Sequence, residues 1–134
     1  MNSENVMTPA EVRELAARAN STTQPCACAS AAVAGWERLS PTFPVELLRR
    51  VGSLLPDPYA EPSYAEYHPA GTGYWSADAP IALRYFPYNR CELAQCTSCG
   101  RAYLRYTEAG GYYTEQRIRA LNPDLIVDPP LPEA

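Results

Sequence analysis

The chain contains no lysine, and all 11 of its basic residues are arginine. Schiff-base chemistry and a Walker-type phosphate loop both require a lysine amine, so both are excluded. Histidine is almost as scarce, with His68 the only one. That removes zinc sites built on two or three histidines, and any Ser-His-Asp arrangement would have to run through this single ring. No apolar run approaches the roughly 20 residues that a membrane helix needs. Met1 to Asn20 carry Glu4, Glu11 and Glu14 rather than a basic segment followed by an apolar one, which is not a signal-peptide pattern. Glycine is outnumbered by proline, seven to 14.

What is present begins with charge. Fifteen acidic residues against 11 arginines give a formal charge of −4, which gives no reason to expect nucleic acid or an anionic membrane as partner of the whole chain. A cytoplasmic location is the expectation. In that reducing compartment five cysteines point to metal binding or redox chemistry rather than to a disulfide framework, and the odd count fits pairing poorly.

The chain opens with a helix signal: Thr8 suits the cap, Pro9 the first helical position and Glu11 the capping-box return. Val12, Leu15, Ala16 and Ala19 then recur at helical spacing, predicting a helix over 9 to 19. The alanine-rich stretch from Cys28 to Ala34 predicts one or two further helical turns. Val45, Leu47, Leu48 and Val51 predict a third helical segment from Pro44 to Val51, stopped by Gly52. Residues 56 to 80 are rich in proline and aromatics; flexible linkers are poor in aromatics, so this stretch is expected to be an ordered loop over the core. In the C-terminal half, Ile81 to Phe86, Cys91 to Gln95, Ala102 to Thr107 and Tyr112 to Ile118 are short, aromatic and β-branched, with turn residues between them. They predict a β-meander, although Arg117 to Leu121 would also suit a helix. A last short strand is expected over Leu125 to Val127.

The resulting expectation is an α+β fold: short N-terminal helices packed on a small antiparallel β-meander. It is organised as one domain over 1–127, with 9–55 helical, 56–80 an ordered loop, 81–127 the meander, and 128–134 a disordered tail. All ten tyrosines lie between 59 and 113, where they are expected mainly to line the core with their hydroxyls at its rim.

The most specific motif is Cys96-Thr97-Ser98-Cys99-Gly100-Arg101. Two thiolates three positions apart across a tight turn can face one ion, and the glycine after the second lets the backbone amides approach the sulfurs. Over about residues 90 to 107 this hairpin resembles the zinc knuckle of zinc-ribbon and rubredoxin-like domains, a resemblance that implies bound zinc, with iron or an iron cluster as other occupants. One knuckle is half a site. Cys26 and Cys28 could complete a four-thiolate centre between the two halves of the chain; Cys91 and His68 are the alternates. Strand alternation directs Cys91 to the opposite face from Cys96. The expected ligands are therefore Cys26, Cys28, Cys96 and Cys99, with Cys91 a buried structural thiol. A thioredoxin-like role for Cys96 and Cys99 would need a helix after the motif, whereas the residues that follow predict a strand. The wider block from Phe86 through Tyr113 also resembles a pattern in small, functionally uncharacterised bacterial proteins, which implies no activity.

A closed four-cysteine zinc centre implies a structural metal in a protein-interaction or regulatory module, with another protein as partner. Two further readings stand beside it. Residues 81–121 hold six arginines and three glutamates among aromatics, which would suit a zinc-ribbon nucleic-acid binder. His68, in Glu66-Tyr67-His68-Pro69, could act as the base of a small enzyme on an anionic substrate, although no nucleophile motif accompanies it.

Overall fold

The computed structural model describes residues 6–29, 33–55, 59, 62–109, 112 and 114–131. The one α-helix among these described residues, α1 (Pro9–Asn20), starts as the sequence requires. The Thr8 hydroxyl accepts from the Glu11 amide at 3.1 Å, and the Glu11 carboxylate accepts from the Thr8 amide at 2.8 Å. Val12, Leu15, Ala16 and Ala19 form its buried stripe.

A five-stranded antiparallel sheet follows, in the spatial order β1 (Glu37–Arg38), β6 (Thr114–Ala120), β5 (Ala102–Ala109), β4 (Glu92–Cys96) and β2 (Leu48–Ser53). A separate parallel pair joins β3 (Ile81–Ala82) to β7 (Ile126–Val127). The α+β class is as expected, but the helical content is smaller. Pro44 to Val51 is not a helix: after a single 3-10 turn at Val45–Leu47 the chain becomes β2 and pairs with β4. Its apolar spacing is too short to specify a period, and pairing against β4 decides the outcome. Of the turns expected in the alanine-rich stretch, a 3-10 turn forms at Ala27–Ala29, and residues 30–32 lie outside the described residues. Arg117 to Leu121 is strand up to Ala120, not helix. The expected strand from Ile81 to Phe86 contracts to β3. The turn at residues 110–111 and the last residues of the expected tail, 132–134, also fall outside the description. Before them, Arg84 Nε donates to Asp128 at 2.9 Å and the Tyr85 hydroxyl donates to the Pro130 carbonyl at 2.6 Å.

The sheet separates two apolar clusters. Registers align Leu93 with Leu104 and Leu104 with Arg119 on one face, and Ala94 with Tyr103 and Tyr103 with Ala120 on the other. The first face packs Leu93, Ala102, Leu104 and Tyr106 against α1, Trp36, Ile81, Tyr88 and Ile126, and Cys91 belongs to this cluster. The second gathers Cys96, Cys99, Tyr103 and Ile118 with Cys28, Val33 and Phe43. Tyr85, Tyr88, Tyr103 and Tyr106 are buried, while Tyr59, Tyr64 and Tyr112 are exposed, so the tyrosines only partly line the core.

Trp36 enters the first cluster because Gly35 lets two loops touch. A Cβ at Gly35 would lie 2.7 Å from the Trp75 carbonyl oxygen and 3.2 Å from the Ala77 amide nitrogen. Only glycine permits that approach. The described part of the aromatic stretch is tied down by Asn89, which donates to the Ser63 carbonyl at 2.8 Å, and by the Phe86 amide, which donates to Ala65 at 2.8 Å.

Candidate metal centre

The knuckle turn joins β4 to β5. The Cys96 amide donates to the Arg101 carbonyl at 2.8 Å and the Gly100 amide to the Cys96 carbonyl at 2.9 Å, which closes the turn and turns both sulfurs the same way. Gly100 has φ +90°. Around its Cβ position nothing lies closer than 4.0 Å, so backbone angle rather than space demands glycine there. The turn is also held from outside, with the Thr97 amide and hydroxyl both donating to the Leu47 carbonyl, at 2.7 and 2.9 Å. Gly100→Ala is expected to cost about 1–2 kcal/mol, the penalty of a left-handed angle in a residue with a Cβ. Metal affinity should fall with it, which thermal melts with and without chelator would show.

The other pair arrives from the segment after α1. The Ala29 amide donates to the Cys26 carbonyl at 3.0 Å, making the small turn that brings Cys26 and Cys28 to one side. The segment is fastened to the knuckle by contacts that involve no sulfur of the N-terminal pair. The Thr22 hydroxyl donates to the Cys99 carbonyl at 2.8 Å, and Arg101 Nη1 to the Gln24 carbonyl at 2.8 Å.

The result is a quartet of sulfurs. Cys26 Sγ lies 3.7 Å from Cys96 Sγ, Cys28 Sγ lies 3.5 Å from Cys99 Sγ, and all four are within 4.8 Å of one another. All four thiols are free of disulfides; Cys28, Cys96 and Cys99 are buried and Cys26 is partly exposed. This is the juxtaposition that the spacing of the cysteines predicts.

Two side chains besides the cysteines complete the surroundings, Arg101 from the knuckle motif and Tyr103 from β5. The Tyr103 hydroxyl donates to Cys28 Sγ and to the Cys28 carbonyl, each at 3.2 Å. Arg101 Nη1 lies 3.4 Å from Cys99 Sγ. Strand parity could have found Tyr103: it pairs with Ala94, which shares a face with Cys96. The electrostatics are those of sulfurs too close to share negative charge. The backbone hydrogen bond from Cys28 is the main influence lowering the Cys26 thiol to about 6, whereas burial pushes Cys28 up to about 12. Burial raises the Tyr103 hydroxyl as well, and Cys99 raises the Arg101 guanidinium. Four adjacent thiolates require a cation to coexist.

The alternates sit elsewhere. Cys91 is fully buried in the cluster on the other face, where its thiol donates to the Pro87 carbonyl at 3.2 Å and desolvation holds it well above the usual thiol range. Both ring nitrogens of His68 are engaged, Nδ1 with the Thr72 hydroxyl and Nε2 with Glu66, each at 2.7 Å. No helix among the described residues is long and apolar enough to cross a membrane. No protein-family model gives a significant match to the chain, and neither does any curated protein or solved structure.

Proposed function

We propose that Cys26, Cys28, Cys96 and Cys99 hold a single zinc ion that staples the segment after α1 onto the sheet, in a protein whose task is interaction or regulation rather than catalysis. The sulfur spacing carries this reading. Four thiolates at about 2.3 Å around one tetrahedral ion stand about 3.8 Å apart. The pairs at 3.5 and 3.7 Å, in a quartet that lies within 4.8 Å throughout, match one ion, and bridging sulfides of a cluster would spread the thiolates further. Zinc is the usual occupant of such closed centres, and four sulfur ligands leave no position for a reactive water.

Tyr103 and Arg101 support the assignment as outer partners that orient thiolates and offset their charge. The surface offered to a partner protein lies on the aromatic loop. Trp75 is 56% exposed, braced by Arg117 at 4.9 Å from its ring and by the edge of Tyr74. Arg117 is itself steadied by Glu115 at 2.9 Å. An exposed, propped tryptophan of this kind is the residue type that anchors protein interfaces.

Elemental analysis of protein purified without chelators tests the centre. One zinc per chain is expected, with Cys26, Cys28, Cys96 and Cys99 protected from thiol reagents in the folded protein until chelator removes the metal. Substoichiometric metal together with five freely reactive thiols would sink the assignment.

A further inference from the structure

The sheet face that carries Cys96 is apolar only at the knuckle end. At its other end lies a polar hollow of about 260 Å³, lined by Arg90, Glu92, Arg105, Thr107 and Gln116 among others. Arg105 stands opposite Glu92 on β4 and Ile118 on β6. The Glu92 carboxylate is drawn the other way, to Arg50 Nε at 3.2 Å, and no ion pair joins it to Arg105 among the described residues.

Arg105 Nε is thus a buried donor with no hydrogen-bond partner, the one such side-chain atom found among the described residues. Buried donors are almost always satisfied, and a guanidinium has only donors to offer, so what is missing is an acceptor. Two more donors border the same hollow. Arg90 is fixed in place: its Nε donates to Asn89 at 3.2 Å, its Nη2 to the Pro62 and Ser63 carbonyls at 3.2 and 2.9 Å, and its guanidinium stacks 4.3 Å from the Tyr64 ring centre. The Thr107 hydroxyl oxygen accepts from Gln116 Nε2 at 2.7 Å, leaving its proton to be given elsewhere. Three arginines, Arg50, Arg90 and Arg105, against Glu92 alone leave a local excess of two positive charges in a chain of formal charge −4.

We propose that this hollow binds a small oxyanion, the phosphate or carboxylate group of a metabolite. Arg105 makes the principal contact, Arg90 supplies a pre-set second charge and Thr107 a neutral donor. Guanidinium groups recognise both anions through paired N–H donors, and the rigid setting of Arg90 limits the ordering cost of binding. The site is separate from the cysteine centre: among the described residues, no hydrogen bond joins its lining to the four sulfurs.

The test is calorimetric titration of the full-length, metal-loaded protein at low ionic strength, with inorganic phosphate in one arm and succinate in the other, each against a chloride blank. Saturable binding is expected in at least one arm, and the tighter arm names the class. Arg105→Gln should weaken it about tenfold or more, the loss of one charge-assisted contact. Arg13→Gln, which removes the same charge from the exposed face of α1, should leave it unchanged. Thr107→Val, at an exposed position, should weaken binding several-fold and serves as the test if Arg105→Gln fails to fold. Absence of saturation in both arms, or equal binding by wild type and the folded variants of the hollow, would overturn the proposal.

Discussion

Cys28→Ser is expected to abolish stoichiometric zinc binding and to lower the melting temperature by about 10 °C or more. Cys28 is the most deeply embedded of the quartet, fully buried and bonded to by Tyr103. A serine hydroxyl cannot replace a thiolate at the metal, and three sulfurs hold zinc far less well than four. Structural zinc contributes on the order of 10 kcal/mol in small domains, comparable with the entire stability of a typical protein. A loss of about 3 kcal/mol is therefore a low expectation, and at this chain length it corresponds to a shift of about 10 °C. Two controls make the result specific. Chelation of the wild type should reproduce the melt of Cys28→Ser and should not move the variant further. Cys91→Ser should retain the metal, because its thiol faces the Pro87 carbonyl on the other side of the sheet. Zinc retained by Cys28→Ser but lost by Cys91→Ser would refute the ligand set. Inductively coupled plasma analysis beside each melt distinguishes these outcomes.

The second large effect is expected at Arg119, which no sulfur touches. Its side chain is fully buried, and no carboxylate pairs with it among the described residues. Instead the guanidinium donates to the Ala34, Ala79 and Ala77 carbonyls at 3.0, 2.8 and 3.2 Å, and to the Tyr88 hydroxyl, which also accepts from Trp36 Nε1 at 3.2 Å. Backbone dipoles from two separate loops thus solvate a cation in the core. Arg119→Ala would strand these carbonyls and leave a cavity, a loss of about 3–5 kcal/mol. Arg119→Lys should recover little of it, because one ammonium cannot reach acceptors arranged around a planar fork. Urea titration gives the magnitude, and Trp36 fluorescence should shift in both variants. If Arg119→Lys were as stable as wild type, charge alone and not the fork would be holding the loops.

These two residues mark where the sequence was and was not legible. The cap at Thr8 and Glu11, the helix behind it, and the meeting of two cysteine pairs follow from local spacing, because each depends on residues a few positions apart or on chemistry with few alternatives. Parity along one strand also separates Cys91 from Cys96. Arg119 could not be read this way. By alternation and composition it belongs to an arginine-rich strand face, and the partners that make it a core residue are carbonyls, which any sequence supplies. Similarly, Leu48 to Ser53 becomes a strand because β4 offers an edge for it to pair with, and a six-residue segment carries too little periodic signal to announce that. The hollow at Arg105 belongs to the same class, since its character depends on which of two arginines Glu92 chooses.

The separation of the sulfur pairs also sets a schedule for synthesis. Cys26 and Cys96 are 70 positions apart. At translation rates of about 5–20 residues per second, Cys26 and Cys28 leave the ribosome roughly 4–14 seconds before the knuckle that completes their site. For that interval the nascent chain displays a thiol pair without its companions, open to oxidation or to capture by a stray metal. On the proposed assignment, the order of emergence makes metal loading a late event in biogenesis, sensitive to the redox state and zinc supply of the cell at the moment the β4–β5 turn appears.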